Sequence, residues 1–260
     1  MIKVKCQPVS ACDFGQAIIC ADHLRNGFIV LQQAGYNDTP NIYGVYQALL
    51  TLEQKRKMIS TLAQSLGELL QDTHTLVATA ESCTGGWVSE AITEVPGCSE
   101  WFDRGFVTYS NQAKKDMLGV KASSLERNGA VSEKVVCEMV KGALKHSKAS
   151  YALAISGVAG PTGGTEEKPV GTVWFAWASR QGVESAHMFF DGDRQDIRAS
   201  AVLFALQGLV TRIRAWRDTG LPAIKKDAAT RKETAMPVSN TQNNVQILPA
   251  DTGAIARDVA

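Results

Sequence analysis

From Leu52 onward the chain carries a helical period. Ile59, Leu62, Leu66, Leu69 and Leu70 recur on one face with Lys, Gln and Glu between them, which predicts an amphipathic helix. His74–Ala80 reads as a strand centred on Leu76 and Val77, and Gly85–Thr93 as a helix ended by Pro96-Gly97. A second strand is predicted over Gly105–Tyr109, followed by a helix from about Gln112 to Leu118. Ser132 is a natural N-cap for a helix through Lys145, whose core stripe is Val135, Val136, Met139, Val140, Ala143 and Leu144. Three strand candidates follow, at Tyr151–Ser156, Gly171–Ala178 and Val183–Phe190. The short spacer Arg180-Gln181-Gly182 predicts that the last two form an antiparallel hairpin. A final helix is predicted from about Asp193, its cap, to Trp216, with Ala199, Val202, Leu203, Leu206, Leu209, Val210 and Ile213 on the apolar face. Strands alternating with helices and ending in a hairpin predict a three-layer α/β/α domain with a mixed sheet, spanning residues 51–221.

The flanks read differently. Residues 1–50 hold short apolar runs such as Phe28–Leu31, broken by stretches like Gly35-Tyr36-Asn37-Asp38-Thr39-Pro40; they are read as an N-terminal extension of uncertain role. From residue 222 to 260 the chain is rich in Ala, Thr, Asn, Gln and Asp without periodicity, which predicts a disordered tail.

Composition narrows the partners. Lys and Arg number 27 against 26 for Asp and Glu, so no long-range field selects nucleic acid or an anionic membrane. No apolar stretch is long enough to span a bilayer. The run Ala17–Ala21 is followed at once by Asp22, His23 and Arg25, a poor signal peptide, so the expected location is the cytoplasm. Oligomeric state, homo-oligomer included, is left open. Cys6, Cys12, Cys20, Cys83, Cys98 and Cys137 form no CxxC pair, and the four histidines form no HExxH; free thiols and no metal are expected.

Three segments carry chemistry. Thr79-Ala80-Glu81-Ser82-Cys83-Thr84-Gly85-Gly86-Trp87 lies at a strand-to-helix junction, where unsatisfied amides favour an anion or a developing oxyanion; the same turn serves equally well as a plain helix cap. Val107-Thr108-Tyr109-Ser110-Asn111-Gln112-Ala113-Lys114 brings Tyr, Asn and Lys to the next such junction, and a lysine at a helix start is equally a solvated charge. Ser156 to Thr172 is a glycine-rich connection whose amides, with Lys168, suit a phosphate. It matches neither the Walker A nor the Rossmann pattern.

Together with Gly192-Asp193-Arg194, these segments resemble the nicotinamide mononucleotide deamidase family, also known as the C-terminal domain of the competence/damage-inducible protein CinA. The matching stretches are Ala80–Gly86, Trp101-Phe102, Gly105–Asn111, Ala113-Lys114, Gly129–Ser132, Ser156–Pro161 and Glu167–Val173. The resemblance implies hydrolysis of the carboxamide of nicotinamide mononucleotide to nicotinic acid mononucleotide and ammonia, in pyridine nucleotide salvage and without a cofactor. It implies Ser82 as nucleophile and Lys114 as its base, with Tyr109 relaying a proton or holding the lysine. Amides near Thr84, Gly85 and Gly86 are the expected oxyanion donors. Glu81, Thr108, Asn111, Ser156, Gly157, Gly160, Gly163, Gly164, Lys168, Thr172 and Arg194 are expected to contact the substrate. Gln112 departs from the family, which often has Glu there, and the separate N-terminal domain of two-domain relatives is not matched.

Two rivals remain at this level. Cys83 is the alternative nucleophile, although no histidine lies near it in sequence to activate it. A non-catalytic nucleotide-binding or regulatory protein is the alternative function. Trp87 and Trp101 are expected to pack in the core.

Overall fold

The computed structural model describes residues 50–218; nearly all of the N-terminal extension and the whole of the stretch read as a tail lie outside them. Among the described residues twelve elements include a five-stranded sheet of order β2-β1-β3-β4-β5. In chain order they are α1 (Leu52–Gln71), β1 (Val77–Glu81), α2 (Trp87–Thr93), a 3₁₀ turn (Cys98–Glu100), β2 (Phe102–Val107), α3 (Asn111–Leu118), α4 (Ala122–Asn128), α5 (Glu133–Lys145), β3 (Tyr151–Gly157), β4 (Thr172–Ser179), β5 (Gly182–Phe189) and α6 (Arg194–Asp218). β1 pairs in parallel with β2 on one side and β3 on the other. β4 and β5 add in antiparallel fashion, so the sheet is mixed, as the late hairpin predicts.

Side-chain alternation builds the three layers. Leu153 and Ile155 of β3, with Phe175 and Trp177 of β4, face the core shared with α1, α2 and α6. The intervening Ala152, Ala154, Ala176 and Ala178 face α5, whose Val135, Val136, Met139 and Val140 fill the other core. Small residues on that face let α5 approach closely. β3 is buried along nearly its whole length, as a central strand covered on both faces must be.

Local chemistry sets the helix starts. Thr51 and Gln54 form a reciprocal capping box on α1. Ser110 and Ser132 accept from Ala113 and Val135, and Asp193 Oδ1 accepts from the amides of Gln195 and Asp196. Several boundaries differ from the sequence reading, β1 among them, which spans Val77–Glu81 and not His74–Ala80. α2 begins at Trp87, not Gly85, because Gly85 and Gly86 take φ of 64° and 97°, a left-handed turn no helix can include. β2 spans Phe102–Val107, not Gly105–Tyr109, because beyond Val107 the backbone turns its carbonyls onto a lysine. The short α4 was not predicted: it has no side-chain cap and buries only Ser124, so it carries neither start signal nor stripe.

Candidate active site

β1 is the strand from which successive connections leave in opposite directions, first to β2 and then, by way of β2, to β3. In open α/β sheets the crevice beyond the carboxyl end of such a strand is where ligands bind. Ser82 is the first residue beyond β1. Its amide donates to the Ile155 carbonyl (3.1 Å), and Thr108 N donates to the Glu81 carbonyl (2.8 Å), so the ladder holds the ends of β1, β2 and β3 in register around it.

Lys114 sits in the first turn of α3, where an amphipathic helix would otherwise present a solvated charge, yet it is 1% exposed. Its Nζ lies 3.0 Å from Ser82 Oγ and donates to the carbonyls of Thr108 (2.8 Å) and Tyr109 (3.2 Å). Burial lowers the pKa of this amine, partly countered by the nearby Cys83 sulfur. An amine in that setting can hold two carbonyls with its N–H groups and turn its lone pair to the Ser82 hydroxyl. This is the arrangement a general base needs.

The thiol of Cys83 is in the opposite condition. Burial, which outweighs favourable backbone and cationic contributions, pushes its pKa up to about 12. A thiol kept protonated is a poor nucleophile.

Glu81 was expected to meet substrate; instead it is wholly buried and organises the turn. Its Oε2 accepts from Thr84 Oγ1 (2.8 Å), Gly86 N (3.1 Å) and Val88 N (3.0 Å). Its Oε1 accepts from Ser89 N (2.9 Å) and Ser89 Oγ (2.8 Å). The carboxylate thus takes the place at the start of α2 that an anionic ligand would occupy. The expected oxyanion donors shift accordingly. Gly86 N is committed to Glu81 and Gly85 N to the Ser82 carbonyl, whereas the amides of Cys83 and Thr84 donate to no other residue among those described.

The remaining expected residues divide. Tyr109 meets Lys114 through its backbone carbonyl, while its phenol, on a 62% exposed side chain, is bonded to Arg194 (3.2 Å). Arg194 also donates to the Gly160 carbonyl (2.7 Å), bringing the β2 end, the glycine-rich connection and α6 together. The Thr108 hydroxyl is buried with no partner among the described residues. Asn111 is exposed at the start of α3, as is Gln112, which bonds Asp116 on the helix surface. Ser156 is buried and donates to the Ala130 carbonyl (2.8 Å). Gly157 packs against Val173 and the buried Thr172, with no room for a Cβ. Gly160 and Gly163 take φ of 72° and 88°, and Gly164 packs on Val170. Lys168 Nζ donates to the Asn128 carbonyl (2.6 Å), tying the connection to the end of α4 instead of standing free.

Arg198 was not singled out by the sequence reading. Its NH2 donates to the Thr84 carbonyl (2.8 Å), and its guanidinium lies 5.3 Å from the Trp87 ring centre, with that of Arg56 at 4.9 Å. The available signal was its spacing of four from Arg194, which puts both on one helix face. Trp101 is fully buried as expected, but Trp87 is only half-buried beneath these arginines. Among the described residues no three His, Cys, Asp or Glu side chains cluster as metal ligands, and no helix is long and apolar enough to cross a membrane.

Comparison with known proteins follows the same geography. Residues 59–213 match the family model described as the CinA C-terminal domain. The chain is 54% identical over 149 residues to the nicotinamide-nucleotide amidohydrolase PncC of Escherichia coli K12, covering 57% of this chain and 90% of that one. It is 53% identical over 152 residues to the protein of that name from Pseudomonas putida, covering 58% and 95%. The solved structure of the competence/damage inducible protein CihA of Agrobacterium tumefaciens superimposes with a TM-score of 0.58 at 44% identity, over 59% of this chain and 94% of that one.

Proposed function

The chain belongs to the CinA C-terminal domain family, and on that premise we propose that it hydrolyses the carboxamide of nicotinamide mononucleotide to nicotinic acid mononucleotide and ammonia. The relatives named as nicotinamide-nucleotide amidohydrolases match across nine-tenths of their length, which supports this substrate. On the same premise we assign it to the cytoplasm. The observation that carries the chemistry is the 3.0 Å contact between Lys114 Nζ and Ser82 Oγ, with both side chains buried.

In the mechanism we infer, neutral Lys114 takes the hydroxyl proton as Ser82 Oγ attacks the carboxamide carbon. The amides of Cys83 and Thr84 face the oxyanion that forms. Lys114 then returns the proton to the amide nitrogen, the C–N bond breaks, ammonia leaves, and the acyl group remains as an ester on Ser82. Water attacks that ester, with Lys114 accepting its proton. Collapse returns the proton to Ser82 and releases the carboxylic acid. Glu81 and Arg198 hold the turn from which these groups project. The Tyr109 phenol, engaged with Arg194, takes no part in the proton transfer.

The test is ammonia release from nicotinamide mononucleotide by the whole chain, with formation of nicotinic acid mononucleotide in equal amount. A protein that binds the nucleotide but releases no ammonia would be of the regulatory kind instead.

A further inference from the structure

Beside the catalytic turn, the first turns of α1, α2 and α6 enclose a cleft of about 350 Å³, near the small end for ligand pockets. Trp87 lines it together with Arg56, Arg198, Gln195 and the Gly85-Gly86 backbone, and Glu90 is the one acidic side chain on its wall. The two guanidiniums flank the indole, and among the described residues neither has a carboxylate partner. Arg198 Nε is buried with no acceptor. The buried Lys55, by contrast, is neutralised by Asp196 at 3.2 Å, a pair that fixes α1 against α6 just behind the cleft.

The groups expected at the phosphate from the sequence already hold protein partners. Lys168 donates to the Asn128 carbonyl, away from the cleft, and Arg194 to the Gly160 carbonyl and the Tyr109 phenol. The glycine-rich connection exposes Glu166 and Glu167, and the α2 terminus is occupied by Glu81. The cleft keeps planar, fork-shaped donors with unused capacity, the geometry that grips a phosphate. Gly85 and Gly86 form its wall three and four residues after Ser82, and Arg198 holds the carbonyl of Thr84. A phosphate seated there is therefore mechanically tied to the turn that carries the nucleophile.

From this we infer that the Arg56–Arg198 cleft is the subsite for the 5′-phosphate of the substrate, in place of the glycine-rich connection. The inference rests on the proposed function. It is tested by measuring kcat and KM of the full chain and its Arg56→Gln variant on nicotinamide mononucleotide and on nicotinamide riboside. Arg56 is exposed, so the fold tolerates the change. The expected result is a rise in KM for the nucleotide of about ten-fold with kcat nearly kept. The preference for nucleotide over riboside should fall by the same factor. Inorganic phosphate should compete with the nucleotide, and less effectively in the variant. Equal losses on both substrates, no loss on either, or phosphate inhibition that is not competitive each overturn the assignment. Should the wild type release no ammonia, the substrate reading fails separately. Calorimetric binding of inorganic phosphate, weakened or unaffected by Arg56→Gln, then decides whether the cleft is an anion site.

Discussion

Lys114 Nζ lies 3.0 Å from Ser82 Oγ, and its other two contacts are carbonyl oxygens. Among the described residues the serine hydroxyl is thus its one hydrogen-bond partner with a proton to give. If the two act as a unit, Ser82→Ala and Lys114→Ala should each lower kcat by orders of magnitude, and the double variant should be little worse than either. Lys114→Arg should fail as badly, because a guanidinium does not deprotonate near neutral pH. Additive losses in single-turnover assays would count against the pairing.

The depressed pKa of Lys114 has consequences for both rate and stability. The rate should rise with pH as the amine loses its proton, with the inflection below the ordinary lysine value of 10.5. Between the folded and unfolded values the unfolded chain holds more protons on this residue, so its contribution to stability improves as pH rises through that window. Below the folded value a charged, buried amine carries the full penalty. Denaturant melts of wild type and Lys114→Met should therefore converge as pH increases; a gap independent of pH would contradict the shift.

Cys83 offers the contrasting test. With its pKa pushed up to about 12, the thiol should resist iodoacetamide at pH 8, and Cys83→Ala should keep most of kcat. The variant is expected to lose about 1 kcal/mol of stability. An inactive but folded Cys83→Ala protein would revive the thiol mechanism.

Glu81→Gln preserves size but turns an amide N–H₂ toward donors that now bond a carboxylate. A loss of about 2–4 kcal/mol is expected, seen as a drop of roughly 5–15 °C in Tm, with kcat reduced because the turn bearing Ser82 loosens. A change in KM alone, at unaltered Tm, would mean that Glu81 touches substrate after all.

Tyr109→Phe removes the bond to Arg194 and leaves the carbonyl that holds Lys114. The pH–rate profile should be retained, with kcat lower by no more than about ten-fold, the scale of one hydrogen bond. Collapse of kcat to the level of Lys114→Ala would assign the phenol a part in proton transfer.

The sequence by itself determined the layers and most element positions, because those follow from short-range rules. A period near 3.6 marks α1, α5 and α6, Ser132 and Asp193 start helices as caps, and the hairpin spacer dictates antiparallel pairing. It also led to Ser82 and Lys114, through ordered motifs on successive strand-to-helix turns. What it did not determine were the partners of each polar group, since these depend on contacts across long separations. The acidic residue next to Ser82 reads as a ligand until its five donors are seen around it, three of them backbone amides whose direction depends on the left-handed turn at Gly85-Gly86. Lys168 reads as a phosphate contact until the fold brings it to Asn128, forty residues away. Arg198 draws no reading from the sequence at all; its place is decided when α6 sets it against Thr84, across 114 residues of chain. Periodicity and capping are local and survive in one dimension; burial and hydrogen-bond commitment, which decide whether a charge is a base, a cap or a ligand, exist only once the sheet has gathered the strand ends.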